Sequence, residues 1–206
     1  MIKTPVKVIA YRRKSAQQRR QELIQAGIIC LGKGGMSAFT IDQICKQAGV
    51  SRGLINHHFK SKEDLLNCIY ADMTDHLVQD PKTDEPHQQL AEIIETSFDE
   101  RSFNRSNLRA WLSIWGEVAT NKTLNSLHQK RYCLYKKRIA NALTSIARKN
   151  NSELDADSVA RQLIALIDGL WLEYCLHSAD FSLAAARVDC YRFLQSHGAT
   201  VKLSQQ

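Results

Sequence analysis

Apolar residues along this chain recur at intervals of three and four, and nowhere do they alternate one in two over the length of a strand. The pattern predicts an all-α protein. In the first third it predicts a helix over about 16–31, then two short helices and a longer one between 40 and 73. Ile41, Ile44, Cys45 and Ala48 fall on one helical face, and Gly49 closes that helix because it can take the left-handed conformation at a helix end. Leu54, Ile55 and Phe59 anchor the next helix; Leu65, Leu66, Ile69 and Met73 anchor the one after. Thr40 with Gln43 reads as a reciprocal capping box, Ser51 as an N-cap, and Ser61 with Asp64 as a further helix start.

The run Asp80-Pro81-Lys82-Thr83-Asp84-Glu85-Pro86 interrupts the periodicity. Beyond it the pattern predicts helices over 87–104, 107–120, 121–150, 155–177 and 183–196, spaced as an antiparallel bundle. The helix over 155–177 is apolar nearly all round, which predicts burial on several sides. With the last helix it is expected to form a four-helix interface with the same pair from a second subunit. The chain then divides into a basic arm over 1–16, a helix-turn-helix domain over 17–77 with its core motif at about 40–59, and a ligand-binding and dimerisation bundle over 78–206.

Charge separates the same parts. From Met1 to Lys62 there are 12 Lys and Arg against only Glu22 and Asp42, a local charge of +10; the remainder has 16 basic and 19 acidic residues and sums to −3. A polyanion held by the front end would release counterions, so affinity would fall steeply with salt. Lys3, Lys7, Arg12, Arg13 and Lys14 form a basic arm that reads equally as a frayed terminus or as a segment reaching phosphates. There is no secretion signal and no uncharged run long enough to span a bilayer, which predicts a cytoplasmic protein without membrane contact. The six scattered cysteines read as small core residues in a reducing compartment. No metal-ligand spacing, phosphate loop or nucleophile elbow is present, so neither cofactor nor catalysis is expected.

Two segments carry candidate chemistry. Arg52, Gly53, Asn56, His57 and His58 make a polar, small-stepped surface on the second short helix, suited to a major groove. Trp111 and Trp115 stand four apart on one predicted helix, and Asp168 and Trp171 three apart on another, with Tyr174 one turn on. A buried carboxylate needs a partner, and indole faces attract quaternary ammonium groups, so three tryptophans with one acid would suit a choline-like cation. The same residues also read as ordinary core or as part of a dimer interface.

The run A-G-V-S-R-G-L-I-N-H-H-F-K-S-K-E-D-L-L resembles the recognition-helix signature of TetR-type bacterial transcriptional regulators, and the similarity is continuous from about Gln17 to His76. Many relatives carry Tyr where this chain has Asn56. Asn can pair with an adenine edge and Arg with guanine, so Arg52 and Asn56 are expected to read bases while Thr40, His57, His58 and Lys62 hold phosphates. For His58 a packed structural role stands beside the phosphate contact. W-L-S-I-W and A-L-I-D-G-L-W-L further resemble the ligand domain of the choline-responsive repressors of betaine synthesis, the BetI type. The resemblance implies a homodimeric repressor on a palindromic double-stranded DNA operator, released by a small-molecule effector such as choline. A sequence-tolerant structural DNA binder, or an activator of the same family with a different effector, would share the same head.

Overall fold

The computed structural model describes residues 15–99, 103–177 and 179–199. The basic arm and the last residues of the chain lie outside the described residues, and so does the expectation that the arm contacts DNA. Among the described residues there are nine α-helices: α1 (Ala16–Ala38), α2 (Ile41–Ala48), α3 (Arg52–His58), α4 (Lys62–Val78), α5 (Pro86–Ser97), α6 (Arg105–Val118), α7 (Lys122–Lys149), α8 (Ala156–Leu176) and α9 (Leu183–Ser196).

The first four helices form a head around Leu23, Leu31, Phe39, Ile44, Ile55, Leu65 and Ile69, all buried. Removing each such side chain from water contributes roughly 1.5–3 kcal/mol, which fixes the short α2 and α3 although neither would hold as an isolated helix. Gly49 ends α2 at φ +65°, as its position in the pattern predicts. The capping differs in detail. Thr40 Oγ1 accepts from the Gln43 amide at 3.2 Å, but the Thr40 amide already donates to Ala38 O at 3.0 Å, so the expected return bond from Gln43 is not made. The reciprocal capping box lies instead at Ser15 and Gln18, the start of α1. Ser51 stands at the α3 N-cap without a side-chain hydrogen bond, whereas Ser61 Oγ accepts from the Asp64 amide at 3.0 Å as expected.

Two predicted boundaries move. α1 runs on to Ala38 through a break at Gly34 and Gly35 rather than ending near Leu31. α5 stops at Ser97 rather than near Asn104, and Asn104 serves as the N-cap of α6, accepting from the Asn107 amide at 3.1 Å. An Asn whose side chain accepts the amide three residues on is a helix start, and the five-residue gap between Phe98 and Phe103 already breaks the helical spacing.

Head and bundle are packed together, α1 against α6 and α4 against α7. Gly32 permits the first contact: a Cβ there would stand 2.4 Å from Ser106 O and 2.9 Å from its carbonyl carbon. The second contact is polar. Arg131 Nη2 of α7 donates to Ala71 O at 3.0 Å, and Arg138 Nη1 donates to His76 O at 3.3 Å. α4 is an unbroken helix from the recognition motif to the bundle, so bending between 69 and 78, where a hinge would otherwise be sought, would cost helical hydrogen bonds; the irregular segment is 79–85.

α8 is not buried all round within one chain. Leu163, Ile164, Ile167 and Trp171 face the core, while Ala165, Gly169, Leu172 and Leu176 line an outward stripe. The sequence marks this helix as apolar on every side, and a single subunit covers only one of them.

Candidate nucleic-acid surface and ligand cavity

α3 turns Ile55 inward and is followed by the buried Phe59, which leaves Arg52, Gly53, Asn56 and His57 exposed on one continuous surface. His58 is half-buried, with its ring 5.2 Å from His57 and 6.4 Å from Phe59; burial first, and then the charges of His57, Arg20 and Arg19, hold its pKa below the usual imidazole value. Thr40 and Lys62 are exposed at the starts of α2 and α4. Arg52 is not free: its Nε donates to Asp42 Oδ1 at 2.6 Å and its Nη2 to Asp42 Oδ2 at 2.5 Å, bonds that pull the Asp42 pKa below the usual carboxylate value.

The second site is a pocket walled by α4, α5, α6, α7 and α8, whose roughly 520 Å³ of atom-free space includes a share open to solvent. Trp111, Trp115, Asp168 and Trp171 all line it, so helices far apart in the chain bring together what the sequence separates by more than 50 positions. Ring centroids stand 5.9 Å apart for Trp111 and Trp115, 5.7 Å for Trp111 and Trp171, and 5.9 Å for Trp111 and Tyr70, the last pair edge to face. Trp171 Nε1 donates to Ser97 O at 3.1 Å, which fixes that indole by its polar edge and leaves its face available.

Asp168 sits in this aromatic wall with no hydrogen bond or ion pair among the described residues. Desolvation pushes its pKa up to about 6. Arg131 also lines the cavity, but its guanidinium is turned to α4, where it meets Ala71 O and Asp75 Oδ1. The Tyr135 hydroxyl is buried and makes no hydrogen bond among the described residues, although the Ser97 hydroxyl, which donates to Ile93 O at 2.8 Å, lies near it. Burial raises the Tyr135 pKa, so the phenol keeps its proton and remains a donor. Tyr70, pushed up to about 12 by burial, meets His128 Nδ1 at 2.8 Å; His128 is itself lowered by burial, so the bond joins two neutral groups.

Residues 86–199 match the BetI-type transcriptional repressor C-terminal domain, and residues 23–69 match the tetR family of bacterial regulatory proteins. The chain belongs to the TetR family, with a BetI-type C-terminal domain. It is 33% identical over 175 residues to the HTH-type transcriptional regulator BetI of Serratia proteamaculans strain 568, an alignment that covers 82% of this chain and 86% of that protein. Among solved structures, a transcriptional regulator from Pseudomonas aeruginosa PAO1 superposes with a TM-score of 0.78 at 30% identity, covering 91% of this chain and 94% of that one. A transcriptional regulator from Saccharomonospora viridis, solved in complex with choline, superposes with a TM-score of 0.74 at 22% identity, covering 87% and 96%. As a TetR-family member the protein is a DNA-binding transcriptional regulator and not an enzyme. Among the described residues no helix is long and apolar enough to cross a membrane.

For a regulator of this family the bundle cavity is where sequence reasoning both succeeds and falls short. Tyr174 does not line it. Its ring packs 4.8 Å from Phe103 and 5.3 Å from Phe181, one turn further along α8 than Trp171. The sequence also passes over Tyr70, His128, Tyr132 and Tyr135. The last three had a readable signal, since residues at 128, 132 and 135 share one face of a helix. Tyr70 had none: it belongs to the head by sequence and reaches the cavity only because α4 packs on α7.

Proposed function

We propose that this TetR-family regulator is a homodimeric repressor released from a palindromic operator by a quaternary ammonium effector of the choline type. The observation that carries this reading is Asp168, a lone carboxylate in a wall of Trp111, Trp115, Trp171, Tyr70, Tyr132 and Tyr135. Methylated ammonium groups have no N–H to satisfy; what they need is one negative charge at modest distance and several π faces, and this cavity offers both. The unpartnered Tyr135 hydroxyl adds a donor for an oxygen on the same ligand. The choline found in the Saccharomonospora viridis protein of the same fold supports that choice.

On this reading Arg52 and Asn56 contact bases, while Thr40, His57, His58 and Lys62 meet phosphates, with Gly53 allowing the backbone close to the groove. The stripe of Ala165, Gly169, Leu172 and Leu176 meets its own copy across a two-fold axis. Two heads then lie about 34–36 Å apart, one turn of duplex. The domain division at about 77 follows the same logic, with α4 as a lever shared by both parts. Effector drawn to Asp168 presses on Tyr70, the α4 residue in the wall, and α4 carries that displacement to α3. Whatever factor the effector takes from DNA affinity, DNA takes from effector affinity.

Tryptophan fluorescence titrated with choline and with betaine aldehyde, followed by release of a duplex selected from a randomised pool, tests the effector. Quenching and release are expected; neither at millimolar ligand overturns the choline assignment. Sedimentation tests the assembly: a dimer at micromolar concentration is expected, split by Leu172→Glu with Leu176→Glu, and a wild-type monomer overturns it.

A further inference from the structure

The front third of the chain approaches a polyanion with 12 basic residues and two acidic ones. A carboxylate on such a surface opposes binding unless it serves another purpose. Glu22 lies on α1, where its Oε2 is 2.8 Å from Arg19 Nη1. Asp42 lies in the first turn of α2, exposed, and takes both available edges of its charge to Arg52 at the start of α3. The pairing has a definite orientation. Asp42 occupies the side of the guanidinium formed by Nε and Nη2, and of the five N–H donors three remain, two on Nη1 and one on Nη2. Those facing the end of the side chain form the parallel pair that matches O6 and N7 of guanine. The side chain of Arg52 stays 67% exposed beyond the ion pair, so that end is open.

We infer that Asp42 is a positioning residue for operator recognition: it holds Arg52 side-on, so that the end-on edge of the guanidinium meets a guanine without first having to be ordered. The inference rests on the assignment of Arg52 as a base-reading residue and adds to it a second determinant on the other helix of the motif. A flexible arginine would lose rotamer freedom at the moment of binding, and would find a phosphate as readily as a base edge. Buttressed by Asp42, it is pre-set for one geometry and has one flank already neutralised. Selectivity for a single base pair is then shared between two residues ten positions apart. The position of Asp42 near the start of α2 also suits the helix dipole, a role that would leave base preference untouched.

The full-length protein is used to select duplexes from a randomised pool, and the affinity of every single-base-pair variant of the selected site is measured for the wild type, Asp42→Ala, Arg52→Ala and the double variant. Helical content is checked for each. Arg52→Ala is expected to lose on the order of 10- to 100-fold discrimination at one G·C pair, the range of a bidentate contact. Asp42→Ala is expected to lose several-fold discrimination at that same pair, and the double variant to be no less selective than Arg52→Ala alone. Unchanged selectivity in Asp42→Ala, or uniformly tighter binding to every duplex from removal of a negative charge, overturns the buttress while leaving Arg52 as a reader. If Arg52→Ala loses preference at no single base pair, the base-reading assignment falls and this inference falls with it.

Discussion

Replacing Asp168 by Asn is expected to move stability and ligand affinity in opposite directions, both by amounts that follow from the cavity. Burial lifts the folded-state pKa from the ordinary 3.8 to about 6. An acid whose pKa is raised on folding destabilises the native state as pH rises through that interval, and the full penalty persists above it. Two pKa units correspond to about 3 kcal/mol at pH 7.5. Asn removes the charge but leaves a buried amide short of partners, which returns on the order of 1–2 kcal/mol of that gain. The net stabilisation of about 1–2 kcal/mol raises the melting temperature by roughly 2–8 °C for a chain of this size. Meanwhile a trimethylammonium nitrogen held at about 5 Å from the carboxylate gains about 3 kcal/mol at an effective dielectric near 20. Losing it weakens choline binding on the order of 100-fold. Scanning calorimetry at pH 7.5 and pH 4, with isothermal titration of choline at pH 7.5, measures both. A lower melting temperature at pH 7.5, a stability gain no larger at pH 7.5 than at pH 4, or choline affinity within threefold of the wild type refutes the account of Asp168 as an unpaired charge waiting for a cation.

The other expectations concern the same cavity and the joint above it. Choline affinity of the wild type is expected to be constant above about pH 7 and to fall about tenfold per unit below pH 6, because protonated Asp168 offers no charge; a flat titration profile between pH 5 and 7.5 contradicts it. Tyr135→Phe removes the unpartnered hydroxyl and is expected to weaken choline severalfold while leaving tetramethylammonium unaffected, as read by competition titration. Equal losses for the two ligands would show that the hydroxyl meets no ligand oxygen. Gly32→Ala drives a methyl group into the Ser106 backbone and is expected to cost about 1–3 kcal/mol by chemical denaturation. An unchanged midpoint would mean that α1 and α6 part easily.

What the sequence determines about this protein is local. Helix positions follow from the three-and-four spacing of Ile41, Ile44, Leu65 and Ile69, and the end of α2 follows from Gly49, because these depend on residues within a turn or two of each other. The exposed face of α3 was legible for the same reason: burying Ile55, with Phe59 anchoring the end of the helix, leaves Arg52, Asn56 and His57 nowhere to go but outward. Boundaries failed where a cap stood among other polar residues, as at Asn104, which has Arg105, Ser106 and Asn107 directly behind it. The tertiary structure alone decided which aromatics share a cavity. It admitted Tyr70 from the head and Tyr135 from α7, and it set Tyr174 against Phe103, outside the pocket, although that residue lies one turn beyond Trp171. It also decided that Asp168 makes no hydrogen bond or ion pair among the described residues and that Arg52 is paired with Asp42. Periodicity places a side chain on a face of its own helix; which other helix comes to meet that face depends on packing between segments tens of residues apart, where no short-range rule reaches.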